Sequence, residues 1–444
     1  MCGIAAQFSK NSRLPDKARV RAMAEDISHR GPDDEGYYFG DWFGLGFKRL
    51  SILDLSQAGH QPMFDEQKNY VIVYNGELYN FKQIRQELAT KGYAFFSNSD
   101  TEVVLKSFIE WGPECLSKFV GMFAFIIVDL KKGRVFTARD HLGIKPLYMY
   151  QDEANILFAS EIKSFRQFTK FSLNEDALYE QFSYRYVSDR QTIFKNIYRL
   201  SPGTYMEFDK KGVIHEKRYY DVAEGLLNPG TSKINLGSIE ADLKNSIFMH
   251  TQSDVGYNIQ LSGGIDSSYI TAVLAKDYGQ DLHTYSVTLK DYEKDESRYQ
   301  NIVADLYRPK HHSFELSGTD MADNLPKATW NMDMPVVHDA CVFLMLLCEH
   351  SRQHSKVILT GEGADELFGG YGRYKIPFRR KLAFQLRRIM GPQPKLVPNF
   401  WKFRTLRSLM SRDIGLDEQI DFDQGASSGL FEGLDKNIQY RQET

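Results

Sequence analysis

The sequence predicts two successive folds: layered antiparallel sheets and helices in the first half (α+β), then a parallel-stranded α/β domain. Three observations predict this. Short strands broken by turns fill roughly the first 215 residues, with helices mixed in irregularly. Beyond about residue 236, strands and helices alternate strictly, the pattern of a doubly wound parallel sheet. The chain also has 444 residues, more than the ~250–300 that one hydrophobic core serves. The expected domains are therefore 1–215 and 236–444.

In chain order, "CGIAAQF" reads as an opening strand. "YVIVYNGELYN" (70–80) is a strand running into a polar turn. "FKQIRQELATKG" and "DTEVVLKSFIEWG" carry helical periodicity, each stopped by glycine. "GMFAFIIVDLKKGRVFTARD" (121–140) reads as a hairpin, "NILFASE" (155–161) as a strand, and 186–212 as a turn and a last hairpin. "LLNPGTSKIN" (226–235) has linker composition. The alternation that follows pairs "YNIQLSGG" with a helix through "SSYITAVLAKDYG", "LHTYSVTL" with "DESRYQNIVADLY", and "HHSFEL" with "DMADNLPKATWNM". The helix "CVFLMLLCEHSRQH" then leads to the strand "KVILTG".

Composition narrows the function classes. Lys and Arg number 55 against 58 Asp and Glu, a net charge of −3, which exerts no general pull toward nucleic acid. Cys2, Cys115, Cys341 and Cys348 lack disulfide-framework or zinc spacing and read as reduced thiols. There is no apolar run of ~20 residues and no basic-then-apolar leader, so a cytoplasmic protein without a membrane span is expected.

Three segments carry chemistry. Cys2 has two readings. It is either a small apolar residue opening a strand or, once Met1 is removed, a thiol beside its own α-amine, a nucleophile with a built-in base. "LSGGIDSS" (261–268) sits between strand and helix. Its glycines allow close approach of a ligand, and N–H groups at the helix start suit an anion. It lacks the lysine of a P-loop. Asp266 inside an anion site calls for an intervening cation, and magnesium fits that demand. "LTGEGADELFGGY" (359–371) repeats the logic at a second strand end, with Glu362, Asp365 and Glu366. Both loops also read as glycine-serine or acidic helix starts.

Taken together, these segments resemble the glutamine-hydrolysing asparagine synthetase family. The resemblance runs in order through "CGI", "HRGPDDEG" (29–36), "RLSILDLS" (49–56), "YNGELYN" (74–80), "SDTE" (99–102), "ARDHLGIKPLY" (138–148), "SGGIDSS", "DESRY", "DMPVVHDA" (333–340) and "TGEGADELFGGY". It covers roughly residues 1–375. It implies an N-terminal-nucleophile sandwich with glutaminase activity, followed by an ATP-pyrophosphatase domain. It implies Cys2 as nucleophile, with Asn75 and Gly76 as oxyanion donors. Arg49 would clamp the glutamine α-carboxylate, and Glu77 and Asp100 would hold its α-ammonium. His29, Arg30, Asp33 and His60 are read as structural. Leu261, Ser262, Gly263, Gly264, Asp266, Ser267, Ser268, Thr360 and Gly361 match ATP contacts, and Val287 an adenine-pocket residue. Asp266 and Asp365 match magnesium ligands, and Glu362 an acid near the acyl-adenylate. The implied cofactors are ATP and Mg2+, and the implied substrates glutamine and a carboxylate acceptor, aspartate by default. Amidation of a sugar acid and a synthetase-incompetent glutaminase subunit are the alternatives. The family suggests a homodimer, and a partner chain completing the synthetase site is the other arrangement considered.

The sequence departs from the family pattern near its end. The family's "DR-x-SM…SLE-x-R-x-PFLD" segment and catalytic lysine have no match after Tyr371. Residues 376–412 instead hold ten Lys/Arg and no Asp/Glu, with Lys381 and Lys395 as candidate replacement cations. The stretch reads either as a solvated helix pair or as a contact for an acidic partner. The expectation is a chain that hydrolyses glutamine and binds ATP but forms amide poorly alone. Thr360 stands where the family has serine, and "SVTL" (286–289) replaces a strand end richer in glycine.

Overall fold

The structure is a computed structural model that describes residues 1–10, 13–212, 214–227, 235–279, 281–290 and 296–371. Lys381, Lys395, the basic stretch 376–412, most of the 226–235 linker and the polar tail lie outside the described residues. The described residues fall into two units: Met1–Ala177 with Ser188–Gly361, and Leu178–Val187 with 362–371.

The first half of the first unit contains two six-stranded sheets. Strands β1 (Gly3–Ser9), β2 (Asp34–Phe39), β3 (Phe43–Arg49), β8 (Tyr148–Gln151), β9 (Asn155–Ala159) and β10 (Ile197–Arg199) form one, in the order β10-β8-β9-β1-β3-β2. Strands β4 (Met63–Phe64), β5 (Tyr70–Leu78), β6 (Gly121–Asp129), β7 (Arg134–Arg139), β11 (Thr204–Asp209) and β12 (Ile214–Arg218) form the other, in the order β12-β11-β7-β6-β5-β4. All these pairings are antiparallel.

Side-chain alternation explains the layering. Ile4, Ala6 and Phe8 of β1 meet Val71 and Val73 of β5 and Ala124, Ile126 and Val128 of β6 in the core between the sheets. The opposite parity, Ile72, Tyr74, Phe125 and Ile127, packs beneath helices Phe81–Thr90 and Asp100–Trp111. Ala5 and Leu157 pack beneath helix Lys17–Glu25. Both faces of both sheets are thus buried, which is why "FAFIIV" shows no polar alternation. Gly112, at φ +57°, ends the second helix as the sequence predicts.

Strands β13 (Asn258–Gln260), β14 (His283–Leu289), β15 (Lys310–Leu316) and β16 (Ile358–Leu359) form a parallel sheet in the order β15-β14-β13-β16. The chain builds outward from β13 through β14 to β15, then returns to the other side of β13. The direction of winding therefore reverses between β13 and β16, and in such sheets ligands bind at the carboxyl ends of the strands flanking the reversal. Helices Ser297–Tyr307, Gly318–Met332 and Ala340–Ser351 fall where the alternation predicts them. The helix after β13 is shorter than its periodicity suggests: α-helical over Ile265–Ala272, it continues as a wider turn over Val273–Asp277. Among the described residues, no helix is long and apolar enough to cross a membrane, and all four cysteines are free.

Candidate active site

Cys2 lies immediately before β1 and packs against the core between the sheets. Its Sγ lies 3.4 Å from Leu50 N and 3.7 Å from Leu50 O, and its carbonyl accepts from Arg30 Nε at 2.9 Å. Burial raises the thiol pKa, while the adjacent amine and Lys145 oppose that rise. The amine at Met1 has its pKa lowered to about 5, chiefly by burial and further by Arg30 and Lys145. An amine in this setting is a neutral base at pH 7.

Asn75 is on β5, opposite Ala124 of the same inter-sheet core. Its Nδ2 is buried with no hydrogen-bond partner among the described residues. Buried amide donors are normally satisfied, so this one is poised for an acceptor the fold does not supply. Gly76 follows with almost no room: an added Cβ would sit 2.6 Å from the Tyr74 ring and 2.7 Å from Met122 O. Glu77, two residues beyond Asn75, shares its parity. Burial and the nearby Asp100 raise its pKa, while Lys145 draws it down. Asp100 begins the helix Asp100–Trp111, where its Oδ2 accepts from Tyr74 OH and Leu78 N, each at 2.9 Å. Burial raises its pKa against those bonds.

Arg49 ends β3 and is buried. Its guanidinium donates to the carbonyls of Ser56 and Leu53 at 3.2 Å and of Asp54 at 2.5 Å. Three of its five donors therefore hold the loop after β3, and a Cβ on Gly59 would lie 2.0 Å from its Nη2. Any clamp on a substrate carboxylate has the remaining two.

Sequence reasoning missed several groups. Lys145 lies inside "ARDHLGIKPLY" and its charge reaches both Cys2 and Glu77; burial lowers its pKa. Arg30, read as a turn residue, touches the Cys2 carbonyl and pairs with Glu161 at 2.8 Å. Glu161 also binds His29 at 3.0 Å and contacts Lys163, which pairs with Asp333 at 2.9 Å. Burial alone would raise Glu161; His29, Arg30 and Lys163 overcome it and hold the carboxyl at about 2. This chain of charges runs from the Cys2 backbone to "DMPVVHDA". His60, expected to be structural, pairs with Asp34 at 2.7 Å.

At the parallel sheet, Leu261 is buried and its N–H reaches Tyr285 O at 2.8 Å. Ser262 Oγ lies 3.0 Å from Ser267 Oγ and accepts from Gly264 N at 3.2 Å, closing the loop on itself. Gly263 has φ +87°, a conformation that favours glycine. The N-terminus of the helix Ile265–Ala272 has no side-chain cap, so its first N–H groups stay available to an anion. Asp266 stands in that first turn with no hydrogen-bond partner among the described residues. Thr360 and Gly361 follow β16, and a Cβ on Gly361 would come 2.8 Å from Asp266 Cβ. The two strand-end loops therefore meet backbone to side chain, which requires glycine at 361. Gln300, also missed, is buried and bridges the carbonyls of Ser262 at 3.4 Å and Val287 at 3.3 Å. Ser268 continues the helix. Glu362 and Asp365 belong to the second unit, where Glu362 is exposed and Asp365 part-buried at the start of helix Ala364–Phe368.

Comparison with known proteins agrees with this division of chemistry. The family model "Glutamine amidotransferase domain" matches residues 1–220, and "Asparagine synthase" matches residues 238–424. Asparagine synthetase [glutamine-hydrolyzing] 1 of Bacillus subtilis is 32% identical over 457 residues, covering 100% of this chain and 72% of the relative. A putative asparagine synthetase [glutamine-hydrolyzing] 2 of Methanocaldococcus jannaschii is 34% identical over 426 residues, covering 89% of this chain and 81% of the relative. Among solved structures, the glutamine phosphoribosylpyrophosphate amidotransferase of B. subtilis aligns at 15% identity and TM-score 0.38, covering 70% of this chain and 65% of that one. The chain belongs to the glutamine-hydrolysing asparagine synthetase family.

Proposed function

We propose that this ligase converts aspartate to asparagine, with glutamine as amide donor and ATP as activator, its glutaminase domain spanning 1–215 and its synthetase domain 236–444. The observation that carries the glutaminase assignment is the buried, unpartnered Asn75 Nδ2 on the core that also seats Cys2. The Cys2 thiol attacks the glutamine amide carbon and its own α-amine takes the thiol proton. Negative charge develops on the amide oxygen, where Asn75 Nδ2 and Gly76 N–H donate. The amine returns the proton to the departing nitrogen, and water then releases glutamate from the thioester. Glu77 and Asp100 are proposed for the glutamine α-ammonium and Arg49 for its α-carboxylate.

In the second domain the carboxylate oxygen attacks the ATP α-phosphorus and pyrophosphate leaves. Ammonia adds to the acyl carbon, AMP departs and the amide remains. The loop Leu261–Ser268 is proposed to hold the phosphates, its N–H groups supplying positive potential. Val287 is proposed to line the adenine pocket, Thr360 and Gly361 to close on the nucleotide, and Glu362 to act beside the acyl-adenylate. A hard-oxygen ligand with no partner among the described residues, in an anion-binding turn, fits magnesium, so Asp266 is proposed to hold it; Asp365 is proposed as a magnesium ligand on its sequence pattern alone. When bound, magnesium neutralises phosphate charge. Aspartate is favoured because the relatives at 32% and 34% identity carry asparagine synthetase names.

The test is pyrophosphate release from ATP with each of several carboxylic acids. Aspartate-dependent release is expected, and it should collapse in Asp266→Asn while glutamine hydrolysis persists. Release driven by a sugar acid but not by aspartate would overturn the acceptor. No release with any acid, beside intact glutaminase, would overturn the ligase reading of this chain alone.

A further inference from the structure

The parallel sheet carries a histidine cluster that neither proposed reaction uses. Residues of equal parity on β14 share one face with their partners on β15. Tyr285 pairs with His312 and His283 with Lys310, so His283, Tyr285 and His312 lie on the same face. His311, one residue earlier, turns to the other face and meets Thr284 Oγ1 at 2.9 Å. The turn after helix Ala340–Ser351 brings His354 over the first face, its ring 4.5 Å from that of His283 and 4.8 Å from that of His312. Among the described residues, this is the only group of three or more histidine, cysteine or acidic side chains with ligand atoms gathered closely, all within 4.8 Å of one another.

We propose that His283, His312 and His354 bind a transition-metal dication, Zn2+ by preference. His283 Nδ1 and His312 Nε2 are 3.1 Å apart. Two ligands on a tetrahedral ion with bonds of ~2.0–2.1 Å sit about 3.3 Å apart, so this pair needs almost no adjustment. His354 is exposed, on a turn rather than in the helix, so it can rotate inward. Its Nδ1 now meets Tyr285 OH. Three nitrogens and no carboxylate select a borderline metal over magnesium or calcium. His283 opens β14, four residues before Val287, so the site lies about 13 Å along the strand from the proposed nucleotide end. It would clamp β14, β15 and the turn leading to β16 to one another.

The test uses the full-length chain without an affinity tag, titrated with Zn2+ against a chromophoric chelator and with Co2+ followed by its visible bands. One equivalent is expected to bind, with tetrahedral Co2+ bands and a raised unfolding temperature. His312→Ala should weaken binding by more than the ~10–100-fold lost with a mere supporting partner. Its glutaminase rate, measured on the same preparation, should stay at the wild-type value. If His312→Ala fails to fold, His354→Ala at the exposed turn gives the same reading. Cys2→Ala should bind the ion as the wild type does. No saturable equivalent, equal affinity in the histidine variants, or loss of binding in Cys2→Ala would each overturn the proposal.

Discussion

The two chemical halves of this chain are built in opposite ways. Around Cys2 several buried polar groups are already engaged by the protein, while the Glu77 carboxylate and the Lys145 ammonium feel each other's charge without a hydrogen bond among the described residues. Arg49 is bonded to three carbonyls, Asp100 to Tyr74 and Leu78, and Arg30 to Cys2 and Glu161. One amide, Asn75 Nδ2, is left without a partner among the described residues. At the ends of β13 and β16 less is engaged: the helix start has no side-chain cap, Asp266 has no hydrogen-bond partner among the described residues, and the Ser262 and Ser267 hydroxyls bond only within their own loop. The first site is preorganised by burial, so it can stabilise developing charge without rearranging. The second presents unsatisfied donors and a free carboxylate, so a charged ligand supplies what the fold leaves open.

The largest effect that would break this comparison is expected at Glu161. Glu161→Gln leaves Arg30 buried without its carboxylate and Lys163 with Asp333 alone, and an uncompensated buried charge typically costs ~3–5 kcal/mol. Denaturant titration should show that loss. The pH dependence gives an independent measure. The Glu161 carboxyl is held at about 2 against its ordinary 4.5, so its contribution, about 3 kcal/mol, is complete above pH 4.5. It is lost as pH falls toward 2, and wild type should lose more stability than Glu161→Gln across that interval. Equal losses would show that the charge chain does not hold the site together.

Asn75→Ala comes next. Removing one oxyanion donor costs roughly 10²–10³ in turnover, and glutamine hydrolysis should fall by that factor with little change in glutamine KM. ATP-dependent pyrophosphate release with ammonium should be unchanged. A raised KM with unchanged kcat would assign Asn75 to ground-state binding.

Gly361→Ala sharpens the other side. The added methyl would come 2.8 Å from Asp266 Cβ, and such overpacking costs ~1–3 kcal/mol. The nucleotide KM should rise by about tenfold while glutaminase is untouched. An unaltered KM would mean that the two strand-end loops do not act together.

The smallest effect is in the pH profile. Burial lowers the terminal amine pKa to about 5, and the same surroundings act on the Cys2 amine once Met1 is removed. The Cys2 amine is then expected to be shifted in the same direction, below its ordinary value near 8. Glutamine hydrolysis should stay level through neutral pH and fall about tenfold per unit below the lowered value. A limb near pH 8, the ordinary value for such an amine, would show that burial does not tune the base.

What the sequence reveals follows the range of the contacts. Cys2, Asn75 and the two glycine-rich loops are legible because each is a local pattern whose chemistry is carried by adjacent residues. The strand-helix alternation gives the parallel sheet and its strand ends for the same reason. Arg30–Glu161 joins residues 131 positions apart and Ile162–Asp333 joins residues 171 apart, and no local pattern announces either. Gln300 is similar: its role depends on two strand ends meeting beside it. The double burial of β6 hides its alternation, so which sheet face meets the core emerges only from the packing. Arg49 carries a part that no local pattern announces: three of its donors hold its own loop, beside the clamp proposed for the other two.

If one chain holds two separable chemistries, Cys2→Ala removes one and leaves the other. One preparation should be assayed for glutamate, pyrophosphate and amide, with glutamine and then with ammonium as nitrogen source. No glutamate from glutamine and no glutamine-driven amide are expected, with aspartate-dependent pyrophosphate release under ammonium equal to wild type. Glutamate release at the wild-type rate, or loss of the ammonium-driven reaction in a folded variant, would contradict it.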